Sequence, residues 1–279
     1  MTTPKYVRTV RIQPIGGSTA IVEIAGLRLV TDPTLDAPPA AEPDDGMPRR
    51  TAPPALSRAQ LGRLDAALVS HDQHPDNLDV GGRALLADLP LVLTTKDGAA
   101  RLGGAARGLH PFEHVDLRGP DGDVVHVTAL PARHGPDGAE TITGHVLGFL
   151  MAGERLPTVY VSGDNASVAV VRDIVARVGP VDVALLFTGG ASIPAFFDGA
   201  PLTMTNANAV EAARLLEARV VVPIHCEGWT HYAEDSASLT DAFAAAGMND
   251  ILSVVPAGDA IEVTEARTLS VANRASPAV

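Results

Sequence analysis

A series of short apolar runs, separated by amphipathic segments, limits the folds open to this chain more than any other feature. The runs are rich in Val and Leu and suit buried strands; they cover residues 66–70, 91–95, 124–132, 145–151, 158–163, 181–187 and 219–224. The segments between them have helical patterns, at 82–89, 167–179, 206–218 and 238–247. We expect Asn206 or Asn208 to cap the third helix and Gly247 to end the fourth. This alternation predicts layered α/β architecture.

The N-terminal part has a different pattern. Val7, Val10 and Ile12, followed by alternating apolar residues on either side of a turn at Gly26, predict two or three antiparallel strands. The Pro-rich stretch 36–56 is too broken for a regular element, and is either a linker or a loop over an active site.

Composition limits the functions that the chain can have. The 279 residues, 46% hydrophobic and 4% aromatic, indicate one domain over 1–279 with an aliphatic core. A net charge of −12 disfavours nucleic acids and anionic membranes as partners. A single cysteine excludes an intrachain disulfide, and the sequence has neither an apolar signal core nor a membrane-spanning run. We expect a cytoplasmic protein with a small-molecule substrate.

Histidines and aspartates directly follow several of the apolar runs. Ligand-binding residues of α/β proteins gather at strand ends, and imidazoles and carboxylates are the groups that Zn²⁺, Mn²⁺ or Fe prefers. The sequence therefore predicts a metal site with one or two such ions. Its candidate residues are Asp32, His71, His74, Asp76, His134, Asp164 and His225.

The order of these segments resembles the metallo-β-lactamase fold superfamily, in particular its branch of L-ascorbate phosphate lactonase-like and phospholipase D-like metal-dependent hydrolases. GGSTAIVEIAGLRLVTDP resembles the opening strands, SHDQHPDNLD the HxHxDH motif, and PARHG, SGDN and PIHCEGW the later metal-binding segments. The resemblance covers nearly the whole chain. It implies a four-layer αββα sandwich.

The SHDQHPDNLD segment is one residue longer than the usual motif, so two alignments are open. In one, His74, Asp76 and Asn77 take the places of the second His, the Asp and the third His; in the other, His71 is the first ligand and Gln73 replaces the second. In both, Asn77 stands where a second-site imidazole is expected. Because amides are poor ligands for such metals, Gln73 and Asn77 would be weak ligands or position a water. We expect the second site to be weaker, selective for a harder ion such as Mn²⁺, or absent.

The resemblance also implies residue roles. Three histidines would bind the first ion, His134 among them, whereas Asp76 and His225 would bind the second and Asp164 would bridge the two. The metal would lower the pKa of a bound water and so supply hydroxide, which Asp76 would orient or deprotonate. Asp32 is either an outer partner that fixes a His ligand or a simple turn carboxylate.

Other residues with reactive side chains have weaker support. His110, His114, His126 and His145 have no sequence partner at metal spacing and are interpreted as structural or exposed. Cys226 follows His225 directly, and adjacent strand residues face opposite sides, so we interpret it as a packing residue.

Two later segments are candidates for the wall of a pocket. Trp229 and His231 follow His225 and either line the pocket or pack in the interior. The segment 188–206 is interpreted as a second long active-site loop, in which Phe196 and Phe197 either line the site or anchor the loop.

Two functions follow from these observations. The first is a metal-dependent hydrolase that uses metal-bound hydroxide to cleave a small ester, lactone, amide or phosphodiester. The alternative is a degenerate protein of the same fold with a ligand-binding or sensing role and little catalysis. Gln73 and Asn77 support the alternative, whereas the presence of His134, Asp164 and His225 argues against it.

Overall fold

The structure is a computed structural model that describes residues 9–40, 47–264 and 269–272. The strands in these ranges are Thr9–Gly16 (β1), Thr19–Ile24 (β2), Leu27–Thr31 (β3), Ala66–Leu68 (β4), Val92–Thr95 (β5), Ala106–Leu109 (β6), His114–Arg118 (β7), Val124–Ala132 (β8), Val146–Ala152 (β9), Val159–Val161 (β10), Val183–Phe187 (β11), Val220–Ile224 (β12), Ala260–Thr264 (β13) and Leu269–Ala272 (β14). The α-helices are Val80–Leu86 (α1), Lys96–Leu102 (α2), Glu140–Thr143 (α3), Val168–Val178 (α4), Asn206–Leu215 (α5) and Ser236–Ala245 (α6). Short 3₁₀ turns occupy Arg58–Leu61 and Phe197–Gly199.

Within the described residues the strands form two mixed sheets. The first has the order β14-β13-β1-β2-β3-β4-β5-β6, and the second β12-β11-β10-β9-β8-β7. The antiparallel β1–β2–β3 meander confirms the expectation for the N-terminal part, although Val7 lies outside the described residues. Strands β3 to β6 run parallel, as do β10 to β12.

Most of the apolar runs are buried on both faces because the sheets are covered on both sides there; β8 is an exception, since His126 in it is exposed. In β9, Leu147, Phe149 and Met151 belong to the core between the sheets, whereas Leu150 belongs to the cluster beneath the helices. This alternation follows from the two-residue period of a strand. Helices α4, α5 and α6 cover the second sheet, and α1 with the first 3₁₀ turn covers the first. The result is the four-layer αββα sandwich that was expected.

The helix ends were predicted less well than the strands. Thr205, and neither Asn206 nor Asn208, caps α5: its backbone is extended and its hydroxyl accepts a hydrogen bond from the Asn208 amide at 3.2 Å. Asn206 is already the first helical residue. Gly247 follows the end of α6 with a φ of 69°, as its position predicts. Across the described ranges, no helix is long and apolar enough to cross a bilayer.

Candidate metal centre

The candidate ligands meet at one end of the sandwich. His71 lies beyond the end of β4, His134 beyond β8, Asp164 beyond β10 and His225 directly after β12. Strand β4 belongs to one sheet and β10 and β12 to the other, and all three end at the same edge of the sandwich, which explains how ligands distant in the sequence come together. His225 turns away from its strand with a φ of 62°, a conformation that non-glycine residues rarely adopt.

One group of four side chains surrounds a common point. Nδ1 of His74 lies 2.8 Å from Nε2 of His71 and 3.1 Å from Nε2 of His134. Oδ2 of Asp164 lies 3.5 Å from the His134 nitrogen and 4.0 Å from the His71 nitrogen. Tetrahedral Zn²⁺ with bonds of about 2.0–2.1 Å would place its ligand atoms about 3.3 Å apart. The observed separations bracket that value.

A second group shares Asp164. Nε2 of His225 lies 3.2 Å from Oδ2 of Asp76 and 3.5 Å from Oδ1 of Asp164, and these three side chains are all buried. Asp164 thus presents one carboxylate oxygen to each group. Its Oδ2 is buried and has no hydrogen-bond partner among the described residues. A buried carboxylate oxygen without a donor is costly unless a cation neutralises it. The side chains therefore fit a metal ion.

Hydrogen bonds on the far ring nitrogens orient the imidazoles. Nδ1 of His134 donates to the carbonyl oxygen of Leu202 at 2.7 Å, and Nδ1 of His225 contacts that of Thr188 at 3.3 Å. Such bonds hold the ring and point Nε2 at the centre. Burial lowers the pKa of His71 and of His134, so both imidazoles are neutral and have a lone pair to donate.

The carboxylate of Asp76 is held in its charged form. Although burial raises its pKa, hydrogen bonds from His225 and His231 lower the pKa of Asp76 well below the usual range. Burial also lowers the pKa of His225, but the negative charge of Asp164 and the hydrogen bond to Asp76 raise it to about 9. This strong pairing keeps an anionic oxygen at the centre at neutral pH.

Asp32 reaches the cluster through Ser70, which was not identified from the sequence. The Asp32 carboxylate accepts hydrogen bonds from the Ser70 amide at 2.6 Å and the Ser70 hydroxyl at 2.7 Å. The same hydroxyl lies 2.9 Å from Nδ1 of His71. Burial raises the pKa of Asp32 to about 8. Asp32 is thus an indirect partner of His71, and the position of Ser70 immediately before His71 was the available signal.

The conformation of the loop accommodates the extra residue in the opening motif. His71 and His74 both join the first group, while Gln73 is exposed and its amide lies over Gly144. Gln73 thus lies outside the first group, whereas His71, the first ligand in one alignment, and His74, the second His of the other, both lie in it. Asp72, which is buried, forms hydrogen bonds with the Arg101 guanidinium of α2 at 2.5–3.1 Å and so fixes the start of the loop.

Asn77 is buried inside the centre and acts as a hydrogen-bond donor. Its Nδ2 donates to Oδ1 of Asp164 at 2.9 Å and to Oδ2 of Asp32 at 3.2 Å. An amide binds a metal through its oxygen, and Oδ1 of Asn77 is buried with no hydrogen-bond partner among the described residues, but an amide oxygen is a poorer ligand than an imidazole for such metals. Asn77 therefore ties Asp164 to Asp32 in a place where the resemblance led us to expect an imidazole.

An apolar cavity of about 340 Å³ opens onto the cluster. The 188–206 loop contributes Phe196 and Phe197, which agrees with the lining alternative for these two residues. The Pro-rich stretch contributes Met47 and Pro48, which supports its interpretation as a loop over the site; residues 41–46 of that stretch lie outside the described residues. The cavity is lined by Met47, Pro48, His74, Pro75, Asp76, His134, Ile142, Thr143, Ala191, Ile193, Phe196, Phe197, Leu202 and His231.

Trp229 and His231 have different environments. His231 lines the cavity, and its Nε2 lies 3.0 Å from Oδ2 of Asp76. Trp229 does not line it: the indole packs against Gly17, and the Arg50 guanidinium lies 5.7 Å from the ring centroid. The packing interpretation thus applies to Trp229 alone.

Among the remaining residues, the interpretation of His114 and His126 needs correction, whereas Cys226 is buried as expected and only the argument for its burial changes. His114 and His126 are exposed, but Asp116 lies between them with its Oδ1 2.6 Å from Nδ1 of His126 and 3.8 Å from Nε2 of His114, so they do have a partner at metal spacing. Cys226 is buried, and burial raises the pKa of its thiol to about 12. The strand has already ended at Ile224, so its burial comes from the following turn and not from strand alternation.

Comparisons with known proteins agree with this geometry. The family model described as β-lactamase superfamily domain matches residues 27–226. A protein named UPF0173 metal-dependent hydrolase from Pelotomaculum thermopropionicum is 27% identical over 219 residues, which cover 76% of this chain and 88% of that protein. N-acyl-phosphatidylethanolamine-hydrolyzing phospholipase D 1 of Caenorhabditis elegans is 28% identical over 225 residues, covering 76% of this chain and 62% of that protein.

Solved structures share the fold. The crystal structure of a possible metal-dependent hydrolase from Veillonella parvula superposes with a TM-score of 0.77 at 18% identity, covering 91% of this chain and 99% of that one. The family model spans more than half of the 279 residues and includes the candidate ligands from His71 to His225. The chain therefore belongs to the β-lactamase superfamily and is a metal-dependent hydrolase of the metallo-β-lactamase fold.

Proposed function

We propose that this hydrolase acts on a small ester, lactone, amide or phosphodiester that carries an apolar group. The main support for the proposal is the apolar cavity, because His74, Asp76 and His134 of the cluster are part of its lining. Its rim has unusually exposed apolar side chains: Met47 is 55% exposed, Ile142 61% and Phe196 38%. Such side chains around a cavity mark a binding site for an apolar ligand. The C. elegans relative is named for hydrolysis of an N-acyl phospholipid, which supports the same substrate chemistry.

We further propose that the two groups of side chains hold metal ions. The first ion would be bound by His71, His74, His134 and Asp164, and the second by Asp76, Asp164 and His225. Three imidazoles and a carboxylate in the first group favour Zn²⁺ over Mn²⁺ or Fe.

The residues around the cavity have complementary roles in this proposal. The ions, when bound, make water nucleophilic at neutral pH and polarise the bond to be cleaved. Asp76 faces the cavity as an anion and would orient the attacking water or accept its proton. Phe196, Phe197 and Ile193 would hold the apolar group of the substrate and keep bulk water from the reacting carbonyl.

Elemental analysis tests the metal part of the proposal. Protein purified without added metal, and then loaded with Zn²⁺, Mn²⁺ or Fe²⁺, is compared with His134→Ala, His225→Ala and the control His145→Ala, whose imidazole is exposed and contacts Asp97. We expect metal in the wild type and the control, and less bound metal in each of the other two variants, because each lacks a ligand of one ion. A wild-type protein that cannot be loaded would favour the ligand-binding alternative.

A panel of substrates tests the proposed class of substrate and its apolar group. Hydrolysis of p-nitrophenyl esters from acetate to hexanoate is compared with that of lactones, anilides and bis-p-nitrophenyl phosphate. Each methylene that becomes buried contributes about 0.8 kcal/mol, so kcat/KM should rise about fourfold per methylene until the cavity is full. A flat series for every substrate class would contradict an apolar subsite.

A further inference from the structure

The second group of side chains has a neighbour that neither the family motif nor the spacing of ligands assigns. His231 lies six positions beyond His225 and outside the PIHCEGW segment that resembles a metal-binding element. Its imidazole is 8% exposed, and Nε2 lies 3.0 Å from Oδ2 of Asp76. The same oxygen lies 3.2 Å from Nε2 of His225. One carboxylate oxygen is thus held between two buried imidazole nitrogens.

The second group of side chains lacks the imidazole that the resemblance predicts at the position of Asn77. Nδ2 of Asn77 donates to Asp164 and Asp32, and its Oδ1, which is buried without a hydrogen-bond partner among the described residues, is a poorer ligand than the imidazole that the resemblance places there. Asp76, Asp164 and His225 supply three ligands, whereas protein-bound Zn²⁺ takes four or five. His231 contacts this group through Asp76, although it lies outside the three residues whose ligand atoms are all within 4.8 Å of one another.

The surrounding loops hold His231 in place. Its carbonyl oxygen accepts a hydrogen bond from the Ser192 amide at 2.9 Å, and the preceding Thr230 amide donates to the Arg49 carbonyl at 2.9 Å. Two residues earlier, Trp229 pairs with Arg50 in a short antiparallel bridge. The backbone is therefore anchored on both sides, by the Pro-rich stretch and by the 188–206 loop.

The ring of His231 packs near Trp229 and Tyr232, and its polar atoms have one hydrogen-bond partner among the described residues. Its Nδ1 is buried without a hydrogen-bond partner among the described residues, so the contact with Asp76 is its one side-chain hydrogen bond there. A buried imidazole whose polar contact is directed only at a candidate ligand group is expected to serve that group.

We propose that His231 is a ligand of the second metal ion and replaces the imidazole that is absent at Asn77. The second site would then consist of Asp76, Asp164, His225 and His231, with imidazoles supplied from the loop after β12 in place of the opening motif. This inference rests on the proposed metal centre. It revises the expectation of a weakened second site, because the ligand number is restored from elsewhere in the chain.

Calorimetric titration of the metal-free protein with Zn²⁺ alone tests the inference without reference to activity. Elemental analysis after dialysis then measures how many ions stay bound. The variants are His231→Ala, His231→Gln and the control His145→Ala. Glutamine can still donate a hydrogen bond to Asp76 but is a poor zinc ligand. The wild type and the control should bind two equivalents. Both His231 variants should keep one tight equivalent and bind the second more than about 100-fold more weakly, beyond the effect of an outer partner.

The other outcomes separate this inference from the proposed function. A His231→Gln protein that keeps both ions at wild-type affinity would show that the residue only orients Asp76, and would overturn the inference. A wild type with a single equivalent, or variants that lose both ions together, would also overturn it while leaving a metal-dependent hydrolase. A wild type that binds no Zn²⁺ would refute the metal centre as a whole. The tight equivalent that remains in each variant serves as the check that the variant is folded.

Discussion

The close approach of Gly82 to the loop after β3 gives a prediction whose size can be worked out from the structure. Gly82 lies in α1, three residues after Asp79, whose carboxylate caps the helix by accepting a hydrogen bond from the Gly82 amide at 2.7 Å. A β-carbon on Gly82 would lie 2.8 Å from the carbonyl carbon of Pro33, closer still to its oxygen, and 3.1 Å from Cδ1 of Leu78. Carbon atoms prefer separations of about 3.5–4.0 Å, so the backbones would have to part by about 0.7 Å or more.

The neighbouring backbone cannot move freely. The carbonyl of Asp32, one residue before Pro33, accepts hydrogen bonds from the hydroxyls of Ser18 at 3.1 Å and Thr19 at 2.9 Å, and the Asp32 amide donates to the Leu68 carbonyl at 3.0 Å. Overpacking of this kind costs about 1–3 kcal/mol, and the better helix propensity of alanine recovers at most about 1 kcal/mol. We expect Gly82→Ala to lower the free energy of unfolding by about 1–2 kcal/mol and the Tm by roughly 2–6 °C.

Urea denaturation followed by circular dichroism measures this change. Gly81→Ala is the matched control, because the nearest atom to its β-carbon is Oδ1 of Asp36, the end of a side chain that can move. We expect the control to stay within about 1 kcal/mol of the wild type. Equal stability of Gly82→Ala and the wild type would refute the argument from close approach.

Four further predictions concern stability and the site. The Asp182 carboxylate accepts hydrogen bonds from Thr158 at 2.9 Å and Arg219 at 2.7 Å, and although burial raises its pKa, these bonds lower the net value. A lowered carboxylate pKa stabilises the fold above the unfolded value of 3.8, and this contribution is lost as the pH falls through the lower folded value. Asp182→Asn should therefore cost about 1–2 kcal/mol at pH 7 and progressively less below pH 3.8, and a pH-independent difference in urea denaturation would argue otherwise. Phe149→Ala opens the core between the sheets and should cost about 3–5 kcal/mol in the same assay. Removing metal with EDTA should lower the Tm in a scanning experiment, since an ion at about 100 times its Kd stabilises by about 2.7 kcal/mol, and an unchanged Tm would count against a bound ion. Phe196→Ala should reduce kcat/KM for hexanoate esters more than for acetate esters, whereas an equal loss would remove Phe196 from the apolar subsite.

Much of the fold could be predicted from the sequence because its signals are local. The apolar runs at 124–132 and 181–187 correspond to β8 and β11 within two residues. β11 is buried along its whole length and is therefore apolar throughout, whereas β8 includes more exposed positions between buried ones. Helix ends were less accurate: the cap of α5 lies at Thr205, because the hydroxyl of the residue before the helix satisfies its free amide. Strands β6 and β7 have partly polar sequences and were not predicted.

The sequence by itself determined which residues could bind a metal ion, because the His and Asp residues that follow the buried strands occur in the same order as the metal-binding segments of the superfamily. Only the tertiary structure decided how they are used. Whether His71 and His74 both reach the centre depends on the loop conformation, and the contact of His231 with Asp76 joins positions 155 residues apart. The apolar cavity is likewise lined by residues distant in the sequence, namely Met47, Ile142 and residues of the 188–206 loop. Such contacts depend on loop conformation and on packing between distant segments, for which local sequence has no periodic signal.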